Sequence, residues 1–533
     1  MTAESALSRR VSALWAIGVL IVGLAGCATR PPDDGTENLP IDDDTAGLKR
    51  GGWQDRYFSY GGEFEYFVGF DLQQLHADTG IDYREKLDFL AAHDVNKVRI
   101  WLYPSFFGLP GDRNYPANGR ILYPWRVDAN ANKFDLDQWD PEFWSRTRQF
   151  LAYARQKGII VEISLFSIQE PRNYFRQRDV SYAFHHRDNL QDFGRPTDRN
   201  GAFMRGFFAL GYADNGRTLH NFHAAYIDKA LIEFGDFDNI YYELMNEAPG
   251  ERYWIRQELP HSWLKYWLRY IAEKTEQPVT THSTGFMDLR DNNRKGWTRA
   301  QFAAVGRRYW SDDHVDGFNF HFYSSDPAAI SMALNVFQRS GLMLICNEGD
   351  GFYDLDRSAG YPNYRITLDV DRLYGEIRHA WGMMTAGGYY SIYFGPVPLV
   401  GDATSTAAAE AMQAMRQIVE MTRFEALRPV RDDGSELDDL VSTGPGSGWQ
   451  VIADPGVGYL AYFWGDEQEN AATITLPAGH YRYAWMDPRS PGPALAVGDV
   501  ALEAPGAVRM GAPQAGRWDS RAGLVLVITA NPQ

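Results

Sequence analysis

From Trp53 to about Phe424 the sequence repeats one unit: a short apolar run, then a longer stretch whose apolar residues recur at helical spacing. The expected strands are YFVGFD, Lys97 to Leu102, Ile159 to Leu165, the run from Ile240, Val279 to Ser283, Gly317 to Phe320, Leu342 to Cys346 and Gly388 to Tyr393. Between them lie amphipathic helices, among them Tyr83 to His93, a helix capped by Asp140 and started by Pro141, one from about Asn221 to Phe234, one over Ser262 to Thr275 and one around Asp371 to Thr385. Eight strands alternating with helices predict an α/β fold, a (β/α)8 TIM barrel over residues 51–428.

Two strands end in carboxylates. NIYYELMNEAPG begins with β-branched and aromatic residues and stops at Pro249 and Gly250, so it delivers Glu247 at a strand end. Alternation along the strand predicts Glu243, Met245 and Glu247 on one face. About a hundred residues on, SGLMLICNEGDG repeats the design and delivers Glu348. In a (β/α)8 barrel the C-terminal ends of the strands form the catalytic face, and two carboxylates there match what glycoside hydrolysis needs.

An Asn-Glu ending strand four (Asn246, Glu247) and a Glu ending strand seven (Glu348) resemble the signature of clan A glycoside hydrolases, especially the family 5, cellulase-like members. His321 and Tyr323 in HFYS resemble their His-x-Tyr after strand six, and Arg99 in KVRIWLY resembles their strand-two arginine. The resemblance implies that Glu348 is a nucleophile and Glu247 an acid/base, with Arg99, Asn246, His321 and Tyr323, and also Trp101 and Tyr393, supporting the substrate or the carboxylates. Strand eight reads GGYYSIYFG and lacks the tryptophan that many family 5 enzymes place there, which leaves the sugar unidentified.

Residues 1–27 carry Arg9 and Arg10, an apolar run of about fourteen residues, too short to span a bilayer, and then Leu24-Ala25-Gly26-Cys27. That ending resembles a bacterial lipobox, which implies export, lipidation of Cys27 and an outer-membrane, cell-surface or periplasmic location. Residues 28–50, with PPDDGTENLPIDDD, are acidic and proline-rich and predict a flexible tether. The one other cysteine, Cys346, falls in an apolar strand and reads as a small buried hydrophobe. A net charge of −17 argues against nucleic acid as a partner.

The segment after strand two (Tyr103, Phe106, Phe107, Tyr115, Tyr123, Trp125) and that after strand three (Tyr174, Phe175, Tyr182, Phe184, His185, His186) are long and aromatic. Loops of that length are usually functional, although most of these rings are expected to pack their own loops. His185 and His186 are adjacent and do not aim at one ion, and His220 and His223 near a helix start are expected at the surface or in a cap. No cofactor or metal motif, nucleophile elbow or phosphate loop emerges, nor a signal for an obligate protein partner.

Beyond RPVRDDGSELDDL the texture changes. WQVIADP, YLAYFWG, ATITLP, YRYAWMDP and GLVLVIT are short, β-rich and split by Gly and Pro, predicting a small antiparallel β-sandwich over 440–533. YRYAWMDPRS resembles the Trp-x-Asp-Pro-Arg of the sandwich, named for collagen binding, that follows the barrel in apiosidase-like proteins; collagen binding is not carried over. These strands are apolar enough to need a partner face, which the barrel would supply. The expected activity is retaining hydrolysis of a β-linked glycan, with a non-catalytic carbohydrate-binding lipoprotein on the same barrel as the alternative.

Overall fold

The computed structural model describes residues 47–531 apart from 52–55, 105–106, 112–114, 116–118, 168–180, 192–205, 211–217, 249–257, 283–313, 322–326, 328–329, 331–333, 335–341, 349–352, 357–364, 369, 394–402, 430–439, 467–469 and 515. Cys27, Tyr323, Phe106, Tyr174 and Phe175 therefore lie outside the described residues.

Eight parallel strands close into a barrel: β1 (Val68–Asp71), β2 (Lys97–Trp101), β3 (Ile160–Ser167), β4 (Ile240–Asn246), β5 (Val279–His282), β6 (Gly317–His321), β7 (Met343–Glu348) and β8 (Tyr389–Tyr393). Each pairs with its sequence neighbours, and β8 returns to β1 through Tyr390↔Val68 to Tyr393↔Asp71. Every residue of β1, β2, β3 and β4 is buried, as expected of strands covered by helices outside and by packed side chains inside.

The helices start and stop where local chemistry dictates. In α1 (Tyr83–Ala92) Asp82 accepts from the Arg84 amide; in α2 (Pro141–Gln156) Asp140 accepts from the Glu142 amide at 2.9 Å and Pro141 occupies the first turn. Past the end of α2, Gly158 takes a φ of +69°, a left-handed turn natural for glycine. α3 (Leu219–Phe234) opens with a capping box between Thr218 and Asn221, and α4 (Glu258–Ala272), α5 (Val370–Thr385) and α6 (Ala403–Met421) complete the labelled outer helices. His220 and His223, expected at the surface or in a cap, are buried instead: on α3 they fall on the inner face, where His223 packs among Phe166, Phe184, Phe207 and Trp263.

An antiparallel sheet of Leu48–Gly51, Tyr57–Tyr60 and Glu63–Glu65 lies at the N-terminal end of the barrel. The Phe58 amide donates a 2.7 Å hydrogen bond to Tyr389 Oη at the start of β8, and the Phe58 ring lies 5.2 Å from that of Tyr241. The long segment after β2 contains a hairpin, Trp125–Asp128 with Lys133–Trp139, that patterning did not reveal. Its aromatic residues Tyr103, Phe107, Tyr123 and Trp125 are buried, like Tyr182 and Phe184 after β3, and the rings of Tyr103, Tyr123, Trp125, Tyr182 and Phe184 pack largely on one another.

The C-terminal residues form a six-stranded and a three-stranded antiparallel sheet, including two strands, Ala496–Leu502 and Gly506–Gly511, that patterning missed. In β9 (Gly448–Asp454), β10 (Gly458–Trp464) and β11 (Leu524–Ala530), alternate residues serve two cores. Val451, Ala453, Tyr459, Ala461, Phe463, Leu524, Leu526 and Ile528 fill the sandwich, whereas Ile452, Leu460, Tyr462, Val525 and Val527 join the core of the barrel unit. Polar contacts mark the seam. Trp381 Nε1 of α5 donates to the Pro488 carbonyl at 3.2 Å, and Gln450 links Thr385 Oγ1 at 2.8 Å to the Pro327 carbonyl at 2.5 Å.

Candidate active site

A charged network inside the barrel carries the site. Lys97, Glu162, Glu243, Asn319, Asn347 and Ser391 each interrupt an otherwise apolar strand and face inward. Glu162 accepts from Lys97 Nζ at 2.6 Å, Tyr241 Oη at 2.8 Å, Asn319 Nδ2 at 2.6 Å and Asn347 Nδ2 at 2.7 Å. Burial alone would raise its pKa, but Lys97 and Arg99 outweigh burial and hold it below the ordinary carboxylate value. Lys97 in turn is lowered by burial against the pull of Glu162.

Arg99 is the second hub. Its Nη1 donates to Asp71 at 2.5 Å, its Nη2 to Glu243 at 2.5 Å and to Asn246 Oδ1 at 2.5 Å, and its Nε to Glu243 at 3.1 Å. Only a planar guanidinium can hold partners from β1 and β4 at once in this way. Two cations, Lys97 and Arg99, thus face three carboxylates, Asp71, Glu162 and Glu243, all fully buried. The surplus negative charge falls on Asp71: burial, with Glu162 and Glu243 nearby, pushes its pKa up to about 7 despite Arg99.

This network holds the residue before each strand-end glutamate. Asn246 accepts from Arg99 and donates to Ser167 Oγ at 3.2 Å, while Asn347 accepts from Lys97 at 2.8 Å and donates to Glu162. Glu247 and Glu348, next in sequence, are thereby set at the C-terminal ends of β4 and β7. Glu247 is 2 % exposed, and its Oε1 lies 3.4 Å from His321 Nδ1. Burial and the Arg99 charge hold the His321 pKa well below the ordinary imidazole value, so the ring is neutral.

Strict alternation fails at the end of β4. Glu243 and Asn246, an odd number of residues apart, both bond Arg99, and Glu247 adopts a φ of +50°. The other positive-φ residues besides glycine, among those described, are Asp94 and Asn132, types that tolerate the left-handed region. A glutamate there carries backbone strain, a feature that clusters at functional positions.

Glu348 closes β7 in register with His321 of β6, across an irregularity after Phe320; its side chain lies outside the described residues. Trp101 is buried with the Arg99 guanidinium 5.8 Å from its ring, and Tyr393 ends β8 half-buried, in register with Asp71. The structure thus joins Arg99 to Asn246 and Trp101, and Glu247 to His321. Patterning overlooked His282, the last residue of β5, whose ring lies 4.4 Å from that of His321. It also overlooked the interior network, although a charged residue within an apolar barrel strand is a signal in itself. Cys346, on β7, is buried as expected, with Sγ 3.6 Å from His379 Nε2. No group of three or more His, Cys, Asp or Glu side chains that could hold a metal ion occurs among the described residues.

No protein-family model matches the chain, nor does any curated protein sequence. Solved structures do. A glycoside hydrolase superposes with a TM-score of 0.56 at 11% identity, covering 93% of this chain and 99% of that one. A glycoside hydrolase family 5 protein from Bacteroides vulgatus ATCC 8482 also gives a TM-score of 0.56 at 11% identity, over 91% of this chain and 93% of its own. At that identity the likeness is one of fold: a glycosidase-type TIM barrel accompanied by β-sheet structure.

Proposed function

We propose that this chain is a retaining glycoside hydrolase acting on a β-linked polysaccharide or oligosaccharide, exported and anchored through a lipid on Cys27. The observation that carries the proposal is the pair of Asn-Glu strand ends, Asn246-Glu247 and Asn347-Glu348, tied through their asparagines to one buried charge network. A non-catalytic glycan-binding barrel would have no need of two glutamates positioned in this way, nor of a left-handed backbone at Glu247.

The chemistry follows from the two carboxyl groups. The Glu348 carboxylate attacks the anomeric carbon while the glycosidic C–O bond breaks, and the leaving oxygen takes a proton from Glu247. Water then attacks the glycosyl ester and gives its proton to Glu247, freeing Glu348. This double displacement needs the carboxyls about 5 to 5.5 Å apart. Ionised Glu348 raises the Glu247 pKa, and esterification removes that effect, so one residue serves as acid and then as base.

Neutral His321 orients the Glu247 carboxyl, and Asn246, held by Arg99, meets the 2-hydroxyl of the sugar. Tyr323 and Arg99 favour the ionised form of Glu348. Release of reducing sugar from a panel of β-linked glycans tests the proposal, with the Glu348→Ala variant as blank. Hydrolysis of at least one glycan that the variant leaves intact is expected; binding without hydrolysis would make the chain a carbohydrate-binding lipoprotein.

A further inference from the structure

Among the described residues, His282 is a fully buried polar group that the mechanism above does not use. It ends β5, between the strand that carries Glu247 and the strand that carries His321. In-register neighbours share a face of a sheet, and His282 pairs with Asn319, whose amide reaches inward to Glu162 and Glu243. The His282 ring therefore points into the barrel mouth, at 4.4 Å and 43° from the His321 ring that contacts Glu247. It is fully buried, yet among the described residues neither Nδ1 nor Nε2 has a hydrogen-bond partner. Buried polar atoms are ordinarily satisfied, so a group left unpaired at a strand end of this kind calls for a ligand or a trapped water.

The surroundings narrow the ligand class. Burial, with His321 and Arg99 nearby, keeps the imidazole pKa well below its ordinary value, so the ring is neutral, with one nitrogen donating and the other accepting. An anion fits only the donating nitrogen, and a bare cation fits only the accepting one and would also meet the Arg99 charge. A hydroxyl, which donates and accepts, fits either nitrogen. We infer that His282 is a substrate-binding residue that hydrogen-bonds a hydroxyl of the sugar unit whose anomeric carbon faces Glu247. This rests on the glycosidase function proposed above.

The test uses the full-length protein with His282→Phe, which keeps a flat ring without nitrogens, and His282→Gln, which restores a donor and an acceptor. On the best glycan from the panel, kcat/KM should fall about tenfold to a hundredfold in His282→Phe and recover most of that loss in His282→Gln. Among singly deoxygenated substrates, one should lose little further activity in His282→Phe, because the hydroxyl it lacks is the one His282 holds. Full activity in His282→Phe, or deoxygenation penalties that all add to it, would overturn the assignment and leave a buried water as the partner. Should His282→Phe fail to fold, the same deoxygenation series on His282→Gln and His282→Ala decides between the two outcomes.

Calorimetric glycan binding to the native and variant proteins supplies a readout independent of turnover. Glycan binding without hydrolysis, weakened by His282→Phe, would overturn the glycosidase function alone. Absence of glycan binding and hydrolysis in the native protein would overturn both.

Discussion

Replacing Arg99 with methionine should be among the most costly single changes in this chain. The guanidinium bonds Asp71, Glu243 and Asn246 in a fully buried site, and its loss leaves Lys97 as the one cation facing three carboxylates. Removing one partner of a buried ion pair costs roughly 3–5 kcal/mol, because the remaining charge has neither water nor partner. Asp71 can relieve part of this by binding a proton, since its pKa already stands at about 7. We therefore expect Arg99→Met to lower the unfolding free energy by about 4 kcal/mol, read as a lower urea midpoint with an unchanged m-value. Adding Asp71→Asn and Glu243→Gln neutralises the stranded carboxylates and should restore about half of the loss. Arg99→Met costing less than about 1 kcal/mol, or a triple variant weaker than Arg99→Met alone, would refute buried charge as the reason.

Acid should destabilise the protein through its buried histidines. Burial depresses His76 and His379 to about 3, so the native state keeps them neutral while the unfolded chain takes up protons below about 6.5. Stability is thus lost as pH falls through that window, by about 2 kcal/mol for each histidine at about pH 5. Asp71, raised to about 7, acts in the opposite direction and offsets about 3 kcal/mol there, leaving a net loss that denaturation at about pH 8 and pH 5 should show and His379→Phe should reduce. Truncation before Arg431 should lower the melting temperature sharply by baring the apolar face that Ile452, Leu460, Tyr462 and Val527 cover, whereas Arg521→Ala, which breaks exposed ion pairs to Asp519 and Asp371, should leave the melting temperature nearly unchanged. Cys27→Ser should release the protein from membrane fractions with its activity intact, and equal retention would show that the lipid is not the anchor.

Much of the barrel was legible because each strand is a short apolar run with helical spacing on either side. The Asp140-Pro141 start of α2 and the ends of most strands could be read to within two residues. The two-faced strands of the sandwich were legible for a related reason: Val451 and Ile452, adjacent and both apolar, each need a buried surface. The strand Ala496–Leu502 escaped notice because its residues are all half-buried or exposed, which leaves no apolar alternation to read.

At the site, Asn246 and Glu247 stood out because a polar pair ended an apolar strand. Their precise presentation was not legible, since the left-handed turn at Glu247 leaves no mark in residue types. The partners of Arg99 were equally hidden: Asp71, Glu243 and Asn246 come from two other strands, and only barrel closure brings them together. His282 was missed because a lone histidine at a strand end gives no periodic signal, and its meaning depends on His321 from the next strand.

The stereochemistry of the first-formed product tests the central claim most directly. Proton NMR during the first minutes of hydrolysis of a β-linked substrate should show the new reducing end in the β configuration, before mutarotation. Glu247→Ala supplied with azide should likewise yield a β-glycosyl azide. An α-configured first product would contradict double displacement through Glu348, even if the Glu247 and Glu348 variants were both inactive.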